Sequence, residues 1–314
     1  MTVGRGFKRL LISATIATYI LIFIGGLVRV SGAGLGCPDW PKCFGRWYPP
    51  TSIEQLPPEI DPSQFNLTLA WIEYINRLCG MTVGLLIAAA AFVALFRYRR
   101  IKRIFYPTAA AAFLTAFQGY QGSVVVSSEL QPIVVSVHTI LALIIVSLLT
   151  YATHRSVYFT ASGPTSTGTA WKNLRPYMWA LWLVALVQFV LGTRVREAIE
   201  HIIEDFPLLS ETERLAEVGA INHIHMGFGL LLVVVTAVVW LQVKKMQGET
   251  KSPVMLYANT MVLLVSFQLF VGLTFVSFGR IPVLQLFHLL IATVYIGSLI
   301  MVYLSARDAG VQNE

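Results

Sequence analysis

Eight stretches of about twenty or more mostly apolar residues recur along this chain, at roughly 9–30, 71–96, 104–126, 133–153, 176–195, 219–243, 253–276 and 283–304. A helix of that length crosses a hydrocarbon core of ~30 Å, and a chain in lipid has to satisfy its backbone polar groups internally. The expectation is an all-α membrane protein with eight transmembrane helices. Composition agrees: 56% of residues are hydrophobic and only 12% charged, whereas a soluble domain carries about 25% charge. The first stretch has no small-residue cleavage site and runs straight into Gly25-Gly26-Leu27-Val28-Arg29, so it reads as a retained helix.

Charge sets the expected orientation. The N-terminus, 97–103, 154–175, 244–252 and the C-terminus together hold 15 of the 23 Lys/Arg but 3 of the 16 Asp/Glu. That asymmetry places both termini on the cytoplasmic side of the membrane. The net charge of +7 is then a consequence of topology. No nucleic-acid motif accompanies it, and nucleic acid is not an expected partner.

The eight stretches are not independent. Phe117, Gln118, Gly122, Val126, Ser127, Pro132 and His138 recur as Phe267, Gln268, Gly272, Val276, Ser277, Pro282 and His288, all at one offset. Four spans separate the copies, so both halves share an orientation and are related about an axis along the membrane normal. The expected architecture is two pseudo-symmetric four-helix bundles, 1–156 and 175–314, joined by a cytoplasmic linker at 157–174 with Ser, Thr and Gly clustered at 160–169. Gly192 and Arg194-Val195-Arg196 echo Gly25 and Val28-Arg29, and aligning Gly227 with Gly80 sets His223 against Asn76.

Polar residues in this apolar setting are the candidates for chemistry. Arg29 either snorkels to the outer headgroups or meets an anion such as a ligand carboxylate. The outer loop 31–69, rich in Pro, Trp and Tyr, is expected to fold into a cap. Within it Cys37 and Cys43 lie on the oxidising side, as a disulfide, two thiols or a metal pair. Asn66-Leu67-Thr68 matches a glycosylation acceptor, a match common by chance. Glu73 shares a helix face with Asn76 and lies four residues from Arg77; it is either a surface ion pair at a helix start or a functional carboxylate near membrane depth. Gln118 and Gln121 need partners inside a span, and Gly119 and Gly122 let something flat approach the backbone. Segment 197–217 reads as an acidic amphipathic surface helix carrying His201, with a capping box at Ser210-Glu211-Thr212-Glu213. His154 reads as a solvated end residue and Cys79 as a small packing residue.

His138, His223 and His288 fall at equivalent outer depths. A lone histidine in a span is often only hydrogen-bonded to its neighbour. Three at repeat-related positions, with no Cys or carboxylate cluster for zinc, suit axial ligation of a flat macrocycle. His223 and His288 would clamp one haem. His225 is the rival for His223, and being two residues on it points the opposite way. Arg29, Arg77, Arg194 and Arg196 lie at the same level and could hold propionates. The first half has Asn76 where the repeat predicts histidine, so its site lacks one strong ligand.

These motifs, namely Gly25 to Arg29, Gly34-Leu35-Gly36-Cys37-Pro38-Asp39-Trp40-Pro41-Lys42-Cys43, Glu73-Tyr74-Ile75-Asn76-Arg77, His138, His223 and His288, resemble the haem A synthase family over nearly the whole chain. The resemblance implies oxidation of a methyl of haem O to a formyl through hydroxylation, with water supplying oxygen. It implies haem b in the C-terminal half on His223 and His288; Arg194 and Arg196, by their level, are the candidates for its propionates. The N-terminal half would take substrate haem at His138, Asn76, Arg29 and Arg77, with Glu73 as the catalytic carboxylate. Cys37 and Cys43 match the family's outer cysteine pair, the expected disulfide. The chain departs from the family in carrying Asn76 where many members have His, and in lacking a second cysteine pair in a later outer loop. Expected partners are haem O, the farnesyl-transferring haem O synthase, an unidentified electron acceptor and membrane lipid; self-association is open. The rival of another class is a di-haem transmembrane electron-transfer protein that does no chemistry on its haem.

Overall fold

A computed structural model describes residues 2–158, 169–246 and 253–309 of the chain. Most of the expected linker, including its Ser/Thr/Gly cluster, lies outside the described residues. Among those described there is no β-strand. Nine α-helices run in order: α1 Arg5–Val30, α2 Leu67–Arg97, α3 Lys102–Ser127, α4 Pro132–Val157, α5 Thr169–Asp205, α6 Glu211–Glu217, α7 Ala220–Met246, α8 Pro253–Phe278 and α9 Pro282–Ala309. Seven of them (α1, α2, α4, α5, α7, α8 and α9) are long and apolar enough to cross a membrane. The remaining expected span, α3, has 26 residues like α1. Its Gln118, Gln121 and paired glycines dilute its apolar character, and length and composition alone do not mark it as a span.

Local chemistry explains the helix ends. Asn66, the formal glycosylation acceptor, caps α2 by accepting a bond from the Leu69 amide at 3.1 Å. The turn between α3 and α4 is made by Glu129 and Leu130, both at positive φ. Leu130 then covers Gly34, where an added Cβ would lie 2.8 Å from the leucine side chain. The Ser210–Glu213 capping box expected from the sequence is present at the start of α6. Its bonds to Ser210 hold the Glu213 carboxyl below its ordinary value.

The chain divides into two compact units, Val3–Ser156 and Val157–Glu314, the latter with Met1–Thr2. In the first unit, Ala14 of α1, Val83 and Ile87 of α2, Ala111 of α3, and Ile145 and Leu149 of α4 form one buried apolar cluster. Hydroxyl pairs tie α1 to α4: Thr15 to Thr153 at 2.8 Å and Tyr19 to Thr150 at 3.3 Å. Such pairs satisfy polar groups that lipid leaves without water.

In the second unit α5 packs against α7 and α9, α7 against α8, and α8 against α9. A buried bond from Thr236 to Tyr295, 2.6 Å, joins α7 to α9. The expected span 176–195 is part of a longer helix, because α5 begins at Thr169 and continues to Asp205. The expected surface helix over 197–217 is thus two pieces, the end of α5 and the short α6. Val195, Ile199 and Val218 with Leu215 and Ile221 make a small apolar cluster that holds these pieces to α7. Glu211 accepts from Arg214 at 2.7 Å and from Arg280 at 2.9 Å, which fixes α6 to the α8–α9 turn. His201 is exposed, as expected, beside Glu204. His154 is not the solvated end residue expected from its position; it is buried, as is Arg155.

The internal duplication appears as a shared hydrogen bond. Gln118 Nε2 donates to the His138 carbonyl at 3.1 Å, and Gln268 Nε2 donates to the His288 carbonyl at 2.7 Å. Each glutamine spans the same interval of chain and pins a histidine-bearing helix to the helix before it. In both copies the amide Oε1 is buried without a hydrogen-bond partner.

Candidate functional site

The outer end of the first unit is built around the start of α2. Cys37 and Cys43 form a disulfide. Both are buried with Phe44 and Ala70, and Leu56, Ile60, Phe65 and Tyr74 pack on them, so the loop is a folded cap on the first turn of α2. Gly36 explains the close seat: a Cβ there would lie 2.3 Å from the Leu69 carbonyl oxygen. Trp40, Trp47 and Tyr48 remain exposed, as aromatics at a membrane interface do. Asp39 closes the loop a second time, accepting from the Phe44 and Gly45 amides at 2.6 and 2.8 Å.

Glu73 lies beneath that cap, 5% exposed. Arg77 Nε donates to its Oε1 at 2.9 Å, and Asn76 Nδ2 reaches its Oε2 at 3.4 Å. A buried carboxylate in an apolar helix is costly unless paired and bonded, and this one has both. The Glu73–Arg77 pair read from the sequence is present, and it is largely buried and not on the surface. Arg77, expected at a propionate, also reaches the loop above it. Its Nη1 donates to the Asp39 and Lys42 carbonyls at 2.6 and 2.8 Å, and its Nη2 to the Cys37 carbonyl at 2.9 Å. Arg29 is half-buried at the end of α1.

His138 is held in one tautomer. Gln121 Nε2 donates to the Val134 carbonyl at 2.9 Å, which orients its Oε1 toward His138 Nδ1 at 2.5 Å. Nδ1 must then carry the proton, and Nε2 keeps its lone pair. That is the arrangement in which a histidine binds a metal through one nitrogen while a protein acceptor holds the other. The ring lies beside Gly122, where a Cβ would be in ordinary contact with His138 Cε1 at 3.7 Å.

In the second unit, His288 packs against Phe275 with ring centroids 5.7 Å apart. His223, expected to face it, is exposed. His225 is half-buried and close enough to His288 to interact with it electrostatically. Its ring sits against α5, where a Cβ on Gly192 would meet His225 Cε1 at 3.2 Å. Two residues along a helix turn the side chain by about 200°, so only one of these histidines can face the interior. The Nδ1 atoms of His225 and His288 are both buried with no hydrogen-bond partner. Arg194 and Arg196, expected at propionates, pair along α5 with Glu197 at 2.6 Å and Glu200 at 3.3 Å.

These residues fit a haem better than a bare ion. No group of three or more His, Cys, Asp or Glu could hold a metal among the described residues. A macrocycle brings four ligands of its own and asks the protein for one or two imidazoles. His138, His225 and His288 supply buried imidazole nitrogens, and a Cβ at Gly80, Gly119, Gly227 or Gly272 would meet nothing within 4 Å. Sequence reasoning missed the role of Gln121 as the partner of His138, although its spacing of seventeen residues across a turn was readable. The Glu73–Arg77 pair was readable from their four-residue spacing; the loop carbonyls that take the other donors of Arg77 were not.

A sequence profile of the family described as "Cytochrome oxidase assembly protein" matches residues 8–300. The chain is similar to proteins named "Heme A synthase". It is 32% identical over 185 residues to one from Shewanella oneidensis, covering 56% of this chain and 52% of that one. To one from Geobacillus kaustophilus it is 31% identical over 137 residues, 44% and 38% of the two chains. To one from Bartonella tribocorum it is 28% identical over 201 residues, 56% and 53% of the two. The chain spans about half the length, or less, of these curated relatives. The family profile, by contrast, runs almost from end to end, and the chain belongs to the cytochrome oxidase assembly protein family.

Proposed function

We propose that this chain is a haem A synthase, oxidising a methyl of haem O to the formyl of haem A for terminal oxidases. Family membership and the names of the relatives support the reading. So does one observation above the rest: a buried carboxylate, Glu73, held by Arg77 and Asn76 in the unit whose His138 keeps Nε2 free. In this reading eight helices, α3 included, cross a bacterial plasma membrane with both termini inside, as two pseudo-symmetric four-helix bundles.

The reaction releases protons, which is why a carboxylate matters. A methyl plus water gives a hydroxymethyl, two protons and two electrons; the hydroxymethyl gives a formyl, two more protons and two more electrons. Glu73 accepts protons at its carboxylate, and its charge favours positive character developing at the reacting carbon. Asn76 steadies the same carboxylate. His138, fixed by Gln121, holds the substrate haem through Nε2. Arg29, at the outer end of α1, meets a propionate.

His288 of α9 would hold haem b in the second unit together with a histidine of α7, either His225, which is half-buried there, or His223. When bound, haem b supplies one-electron redox chemistry. Electrons leave to an acceptor outside the chain, and a farnesyl-transferring haem O synthase supplies the substrate. The test is Glu73→Gln, which keeps shape and removes the base. It should abolish haem A and its hydroxylated precursor, by mass analysis of extracted haem, while the haem b spectrum persists. Wild-type product formation in this variant would refute the assignment.

A further inference from the structure

We infer that Arg77 is a positioning residue that couples the Cys37–Cys43 loop to the Glu73 carboxylate, so that the closed loop holds Glu73 in its working place. The inference rests on the reading of Glu73 as the proton-accepting group. Three of Arg77's four contacts are backbone carbonyls, those of Cys37, Asp39 and Lys42. All three lie within the segment that the disulfide closes. Carbonyls from such a short stretch converge on one guanidinium only if the chain turns back on itself. The disulfide and the Asp39 bonds to Phe44 and Gly45 enforce that turn.

The fourth contact is Glu73 Oε1, one helical turn back along α2. The guanidinium is thus fixed from the loop side, and its remaining edge presents one N–H to the carboxylate. Four of its five N–H donors are committed. Charge alone does not explain this site. A lysine has a single ammonium and cannot span planar contacts on two sides, so Arg77→Lys is not a conservative change here. The cap supports the same geometry: both cysteines are buried over Ala70, and Cys37 Sγ lies 3.5 Å from the Ala70 carbonyl.

The test uses full-length protein carrying its haem, as wild type, Arg77→Gln, Arg77→Lys, Cys37→Ser/Cys43→Ser, and the Arg77→Gln variant combined with the double serine change. Two quantities are read: hydrogen exchange of the amides at 37–46, and kcat and KM for haem O. The persisting haem b spectrum reports that each variant is folded. In Arg77→Gln, exchange at 37–46 should rise, and kcat should fall about tenfold to a hundredfold, as for loss of a charged hydrogen bond. KM should stay within about twofold. Arg77→Lys should not restore kcat, and adding the cysteine changes to Arg77→Gln should cost little more, because both act through one unit.

Unchanged exchange at 37–46, a raised KM with unchanged kcat, or additive losses would each overturn the inference; a raised KM would make Arg77 a propionate anchor. The proposal and its premise fail separately. An active Glu73→Gln enzyme removes the role of Glu73. An inactive Glu73→Gln enzyme beside a fully active Arg77→Gln enzyme removes only the coupling.

Discussion

Gln121 and Val271 occupy the same place in the two copies of the repeat, and they make the two histidine sites unlike. Gln121 fixes the proton on His138 Nδ1, whereas the Nδ1 of His288 is buried without a partner. A ligand histidine whose far nitrogen is held binds more tightly, by about 10- to 100-fold in affinity for comparable second partners. Gln121→Val, which copies the second half, should therefore lower occupancy of the N-terminal haem, read as the ratio of extracted substrate haem to haem b; an unchanged ratio would count against it. On the other side, His288→Ala and His225→Ala should each lose the low-spin haem b absorption, while His223→Ala should retain it. A loss confined to His223→Ala and His288→Ala would instead support the pairing read from the repeat. The histidines and Glu73 are legible in the sequence because polar side chains in apolar helices cost energy and stand out. The choice between His223 and His225 was not, since a two-residue difference decides which face is inward and no periodicity in α7 is strong enough to fix its rotation. Gln121 was hidden for another reason: a search for repeat identities cannot see a residue that matters by differing.

Among the elements, α5 departs furthest from what apolar content implies. Its apolar run fades near Val195, yet the helix continues to Asp205. The i,i+3 pair Arg194–Glu197 and the i,i+4 pair Arg196–Glu200 support the extension. A stripe of Val195 and Ile199, joined by Ile202 and Ile203, anchors it to α6 and α7. Ile199→Ala should cost about 2–5 kcal/mol locally, as a buried truncation does, and be seen as faster hydrogen exchange over 197–217. Exchange unchanged there would mean that the extension stands without the cluster. The capping box adds a pH dependence with a definite sign. Because Glu213 is held below its ordinary value, its contribution to α6 is present above the unfolded-state value and is lost as pH falls through the folded one. Exchange over 211–217 should rise on acidification, and Ser210→Ala should remove most of that response. The box itself was readable as a four-residue pattern. The length of α5 was not, because an amphipathic continuation carries no apolar signal.

For the molecule, duplication is the organising fact. Seven identities at one spacing become one repeated hydrogen bond, Gln118 to His138 and Gln268 to His288. The all-helical class and the membrane-crossing lengths follow from runs of apolar residues, and seven helices meet that standard. Helix α3 falls below that standard because its glutamines and glycines make it less apolar. Divergence between the copies matters as much as likeness: the first unit carries the disulfide cap, Arg77 and Glu73, and the second carries a histidine pair. In the proposed function, such inequality separates a substrate haem from a resident one. The most direct test is to co-express the protein with a source of haem O, purify it, extract its haems and identify them by mass. Haem B together with haem A or a hydroxylated haem O is the predicted result, whereas haem B alone at about two per chain would mark an electron carrier and contradict the account.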